Sequence, residues 1–182
     1  MAKITSVVFD LGNVLIDWDP RYLYRKLFKT EKEIEWFLEN ICTDDWNSKH
    51  DAGLSFLKSI PELSKLYPQY SDPIKNWFER WEEMLGGPLK KTVEVLADLK
   101  NKEIPIYILS NWSAETYPKA EAIFDFLHWF DGKIISGEIG IIKPNPAIYN
   151  ILANTYNLNP ENTVFIDDKL TNIEAANLIG FY

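Results

Sequence analysis

The sequence predicts an α/β fold: a Rossmann-like, doubly wound parallel sheet interrupted early by a helical insert. Two observations carry that prediction. Short apolar runs, each ending on polar or charged residues, alternate beyond residue 87 with helix-patterned segments, as expected of strands in a parallel sheet covered on both faces. Between residues 16 and 86 the pattern is helical, and no strand signal of comparable quality interrupts it. The expected organisation is a split core, residues 1–15 and 87–182, around an insert over 16–86 that forms a helical cap.

Taken in order, the first strand is Val7-Val8-Phe9, running into Asp10 and the turn Leu11-Gly12-Asn13-Val14-Leu15. A carboxylate at the C-terminal end of a buried strand stands where open α/β sheets place their ligands. Taken alone, it reads equally well as a turn aspartate bonded to backbone. Asp19-Pro20 reads as an N-cap followed by proline at the first helical position. Two apolar helix faces follow, Ile34, Phe37, Leu38 and Ile41, then Ile74, Trp77, Phe78, Trp81 and Leu85. Gly86-Gly87-Pro88 marks a flexible boundary. A helix is expected over Leu89–Leu99 and a buried strand over Ile104–Ser110, with Ser110-Asn111 at its tip. In Ile142-Lys143-Pro144 the proline restricts Lys143 to an extended backbone and so fixes the direction in which its ammonium leaves the chain. The last apolar run, Val164-Phe165-Ile166, delivers Asp167-Asp168 ahead of a helix from Leu170 to Ile179, which these aspartates could simply cap.

Composition narrows the function. A net charge of −8 argues against nucleic acid or an anionic membrane, both of which reward clustered lysine and arginine. A small anionic metabolite stays compatible, because one metal ion and one lysine set the local field whatever the global sign. The single cysteine, Cys42, forms no internal disulfide and reads as a small buried hydrophobe in a reducing cytoplasm. No signal-like N-terminus or apolar run of membrane length is present in the sequence. Of seven tryptophans, those at helical spacing read as core, whereas Trp18 and Trp112 follow strand ends and are candidates to face a substrate.

Phe9-Asp10-Leu11-Gly12-Asn13-Val14-Leu15, Ser110-Asn111, Lys143-Pro144 and Asp167-Asp168 with Asn172, in that order, resemble the four motifs of the haloacid dehalogenase superfamily of hydrolases. The resemblance runs from Val7 to Gly180, and its wording is most similar to small bacterial phosphatases acting on α-D-glucose 1-phosphate. The phosphatase domain of soluble epoxide hydrolases looks like a more distant relative. What the resemblance implies is a magnesium-dependent phosphatase acting on a small phosphorylated metabolite, as a monomer or weak homodimer. Asp10 would attack phosphorus to form an aspartyl-phosphate, splitting one hard displacement into two easier ones. Asp10, Asp168 and the Gly12 carbonyl would hold Mg2+, with Asp167 and Asn172 behind them. Ser110, Asn111 and Lys143 would bind the transferring phosphoryl group and balance its charge.

The resemblance departs at one position. Relatives carry a second aspartate two residues after the nucleophile as general acid and base, and here that position is Gly12. Three explanations stand: another side chain substitutes, with Asp17 and His50 the first candidates; the substrate's leaving oxygen is acidic enough to need less help; or the protein is a poor catalyst. A haloacid dehalogenase, in which the same aspartate displaces halide without a metal, is the alternative enzyme, though it has no use for the Asp167-Asp168 cluster. A non-catalytic phosphometabolite-binding protein is the third reading. Gly180-Phe181-Tyr182 stands where relatives enter another strand, so either the sequence stops early or the sheet is one strand short.

Overall fold

A computed structural model describes residues 3–182. The chain opens with strand β1 (Ser6–Phe9), whose four residues are all buried. It then turns through Asn13, which adopts a positive φ, into β2 (Ile16–Trp18). β2 pairs antiparallel with β3 (Leu85–Pro88), and the helical insert hangs between these two short strands. Its helices are α1 (Arg21–Tyr24), α2 (Glu31–Asn40), α3 (Asp44–Asp51), α4 (Phe56–Leu66) and α5 (Ser71–Glu79). The remainder alternates: α6 (Lys90–Asn101), β4 (Ile106–Ser110), α7 (Tyr117–Ile123), β5 (Gly132–Ile135), α8 (Ser136–Ile139), α9 (Pro146–Thr155), β6 (Thr163–Ile166) and α10 (Leu170–Ile179).

Four parallel strands form the main sheet in the order β5-β4-β1-β6. Side chains alternate across it, so Val7 and Phe9 join Ile106, Ile108 and Leu96 on one face, while Val8 meets Leu109, Phe165 and the Ile148, Tyr149 and Leu152 stripe of α9 on the other. Burial on both faces explains why these strands read as unbroken apolar runs. At the free edge of β6, Tyr182 exchanges backbone hydrogen bonds with Thr163 and Phe165. Among the described residues no helix is long and apolar enough to cross a membrane.

The structure corrects several expectations. Gly86-Gly87-Pro88 is not a flexible boundary but most of strand β3, and Ile16–Trp18 is the strand that pairs with it. Glycine is required there by close approach, since a Cβ at Gly86 would overlap the Asp17 carboxylate. Asp19 does receive the backbone N–H of Arg21 at 2.9 Å, but α1 begins one residue later than the motif predicts, with Pro20 in the capping position. Trp46, Trp77 and Trp81 are buried as their spacing predicts, whereas Trp36 is 45% exposed because it sits on the outer side of α2. Cys42 is buried, and burial pushes its thiol pKa up, away from reactivity.

Candidate active site

β1, β4 and β6 are parallel neighbours in register, so their C-terminal ends open on one edge of the sheet. That edge brings together Asp10, Ser110 and Asp167, which lie far apart in sequence. Ser110 Oγ donates to Asp10 Oδ1 at 2.6 Å, and Lys143 Nζ lies 3.1 Å from the same oxygen. The ammonium also donates to Asp167 Oδ2 at 2.5 Å and to the Leu109 carbonyl at 2.8 Å. Lys143 and Asp167 expose 1% and 0% of their side chains, so this is a buried ion pair that needs its extra hydrogen bonds.

Asn111 explains how the lysine comes to lie there. Its side-chain amide clamps the Lys143 backbone, accepting from the N–H at 2.8 Å and donating to the carbonyl at 2.9 Å. Pro144 alone does not set the direction of the ammonium; the amide clamp fixes the backbone on the other side. Asn111 spends both of its polar atoms on that clamp, and it nonetheless borders the cavity.

Asp167 is likewise committed: its Oδ1 accepts from Asn172 Nδ2 at 2.8 Å and from the Lys169 N–H at 2.9 Å. One oxygen each from Asp10, Asp167 and Asp168 lie within 4.8 Å of one another. Burial, then the charges of Asp10 and Asp167, raises the pKa of Asp168. A carboxylate crowded by two others, with Lys143 taken up by Asp10 and Asp167 and Lys169 offsetting the rest only in part, is a donor set that a hard divalent cation fits. Because Asp167 is tied to Lys143 and Asn172, Asp10 and Asp168 are the two that would offer it oxygens. Gly12 lines the same space, and a Cβ built there would meet nothing within 4 Å.

The edge opens into a cavity of about 310 Å³ roofed by the insert. Trp18 and Trp112 both line it, Trp18 edge-on to Trp77 and Trp112 packed on Trp81 with its indole N–H on Thr116. The roof is α3, which contributes Asp44, Asn47, Ser48 and Asp51. The far end of α3 is pinned to the core: Ser136 Oγ accepts from the Trp112 N–H at 3.0 Å and donates to the Asp51 carbonyl at 2.6 Å. A second cleft, about 670 Å³, lies beyond Trp18 and holds Asp17, but it contains none of the strand-tip carboxylates.

Neither expected substitute for the missing acid reaches the site. Asp17 accepts from the Tyr22 hydroxyl at 2.8 Å and faces the other cleft. His50 is fully buried inside the insert, stacked on Phe56 and hydrogen-bonded to Ser59 at 2.6 Å. Burial lowers its pKa to about 4 and keeps it neutral. Its neighbour Asp51, which a reading by residue type passed over, does line the cavity.

Over residues 4–180 the sequence matches the haloacid dehalogenase-like hydrolase family. The chain belongs to that family. Among curated relatives, this haloacid dehalogenase-like hydrolase is 25% identical to the phosphorylated carbohydrates phosphatase of Thermotoga maritima, over 96% of this chain and 81% of that protein. It is 22% identical to the sesquiterpene phosphatase astK of Aspergillus oryzae, over 96% and 86% of the two chains. Among solved structures, the hydrolase superposes on the magnesium complex of a HAD family enzyme from Bacteroides thetaiotaomicron with a TM-score of 0.78, at 20% identity over 98% of this chain and 90% of that one. That likeness is one of fold.

Proposed function

We propose that this hydrolase is a magnesium-dependent phosphatase that cleaves a small phosphorylated metabolite, of which a sugar phosphate is the leading class, through a covalent intermediate on Asp10. The observation that supports it best is the convergence of Asp10, Lys143 and Asp168 at one cavity, with Ser110 hydrogen-bonded to Asp10. Dehalogenation does not need a second outward carboxylate, whereas phosphoryl transfer to an anionic nucleophile needs the cation that Asp168 would help to hold. Two curated relatives, matched over most of their length, carry phosphatase names.

In this reading Asp10, Asp168 and the Gly12 carbonyl would hold Mg2+, which would neutralise charge on the phosphoryl oxygens. Lys143 holds the nucleophilic carboxylate in place and offsets its charge, and Ser110, which donates to the same carboxylate oxygen, would bind a phosphoryl oxygen only on rotating off Asp10. Asn111 orients Lys143 through its backbone, and Asp167 with Asn172 anchors the ammonium from behind. Trp18 and Trp112 bound the leaving group, and the insert acts as the cap over the site. Asp10 attacks phosphorus, the ester oxygen leaves, and water then cleaves the acyl phosphate to return the free carboxylate. A reducing cytoplasm suits the one buried thiol, Cys42.

A screen of sugar phosphates and nucleotides, with and without magnesium, tests the reading. Turnover that requires the metal is expected, and calorimetric titration should find a magnesium site that Asp168→Ala weakens more than about tenfold, roughly 1.4 kcal/mol. Metal-independent halide release from 2-haloacids, with no phosphatase activity, would overturn it.

A further inference from the structure

We propose that Asp51, carried on the helical insert, is the general acid and base of the reaction, in the role that Gly12 leaves vacant on the core. The inference rests on the phosphatase reading and names a catalytic residue within it.

α3 is eight residues long, and Asp44, Asn47, Ser48 and Asp51 recur at i, i+3, i+4 and i+7, so all four share one face, and that face lines the cavity above Asp10. The opposite face, Trp46 and His50, is buried in the insert. Four carboxyl residues line the cavity among the described residues: Asp10 and Asp168 on the strand tips, Asp44 and Asp51 on α3. Asp10 and Asp168 are taken by attack and by the cation. Asp44 is exposed and sits in the first turn, where the helix dipole favours the ionised form. Asp51 sits in the last turn, where the dipole disfavours it, and it is the end that Ser136 pins to the core.

Proton affinity agrees with position. Burial raises the Asp51 carboxyl and the charge of Asp10 adds to that, while Lys169 and the Ser113 backbone N–H pull it back, for a pKa of about 7. An acid poised there holds a proton and can release it at neutral pH. Its recorded side-chain partner is Asn47, at 3.4 Å, so the proton is not committed elsewhere.

The steps balance. As an Asp10 oxygen bonds to phosphorus, the bond from phosphorus to the ester oxygen breaks, and that oxygen takes the proton from Asp51. Asp51, now a carboxylate, removes a proton from water as the water oxygen attacks phosphorus. The bond to Asp10 breaks with its electron pair returning to Asp10, inorganic phosphate leaves, and Asp51 is protonated again.

The test compares two substrates of the magnesium-loaded enzyme, phenyl phosphate and p-nitrophenyl phosphate, whose leaving phenols differ in acidity. Asp51→Asn should lose on the order of 10²-fold or more in kcat/KM on phenyl phosphate, but less than about tenfold on p-nitrophenyl phosphate, which needs little protonation. The phosphorylated protein should accumulate in intact-mass spectra of that variant, because water has lost its base. Asp51→Glu, which keeps the carboxyl, should retain more phenyl phosphate activity than Asp51→Asn. Gly12→Asp placed in the Asp51→Asn background should restore it, since the space at residue 12 is open. No loss in Asp51→Asn, or equal losses on both substrates, would overturn the proposal while leaving the phosphatase reading intact. A parent enzyme that turns over neither ester nor any sugar phosphate would overturn that reading and this proposal together.

Discussion

The strand tips and the underside of α3 present the same residue type to one cavity with opposite consequences. At the tips, Asp10 and Asp167 share the buried ammonium of Lys143, with Ser110 donating to the first and Asn172 to the second. On the inner face of α3, Asp51 has no cation hydrogen-bonded to it among the described residues; a long contact from Asn47, the Ser113 backbone N–H and the more distant charge of Lys169 are what act on it. The difference teaches that a carboxyl's chemistry is set by its partners. Paired, it is a charge held in place for attack; unpaired and half-enclosed, it is a store for a proton.

Breaking the paired side should give the largest effects. Asp10→Asn is nearly isosteric but cannot form the acyl phosphate, so turnover should fall by about 10⁴-fold or more, the scale on which loss of a nucleophile is felt. An unchanged circular dichroism spectrum alongside that loss would assign it to chemistry; retained turnover would mean that water attacks phosphorus directly.

Lys143→Met tests whether the pairing is also structural. It leaves Asp10 and Asp167 facing each other at a buried edge, and removing one partner of a buried pair costs about 3–5 kcal/mol. Urea denaturation without metal should show a loss of that order, and magnesium should recover part of it by compensating Asp10. A loss below about 1 kcal/mol would say that the tips tolerate uncompensated charge.

The unpaired side should show itself in the pH dependence of stability. The Asp51 carboxyl titrates at about 7 in the folded protein and near 3.8 when unfolded, so between those values the folded state binds more protons and stability falls as pH rises. The slope is at most about 1.4 kcal/mol per pH unit. Asp51→Asn removes it, so the variant's stability relative to the parent should increase steadily from pH 4 to pH 7. A constant difference would mean that Asp51 is ionised like an exposed aspartate.

Sequence alone revealed the tips because each is a local pattern, an apolar run ending in Asp10, Ser110 or Asp167, and a parallel sheet aligns such ends automatically. It did not reveal the β2–β3 ribbon, whose pairing is non-local and whose Gly86-Gly87-Pro88 composition reads as a break. Nor did it reveal Asp51. The stripe of Asp44, Asn47, Ser48 and Asp51 was readable as a polar helix face, but such faces normally meet solvent. Only the packing of the insert turns this one onto the strand tips. His50 was the wrong neighbour for the same reason: it was considered for its residue type, and the helix points it the other way.

The Ser136 hydroxyl has a consequence for timing. It joins the loop after β4 to the last turn of α3 through one oxygen, at 3.0 Å from the Trp112 nitrogen and 2.6 Å from the Asp51 carbonyl. An insert that swung clear of the strand tips would break that link and carry Asp51 away with it. On the role proposed for Asp51, proton transfer would then belong only to the arrangement in which the Ser136 link is made.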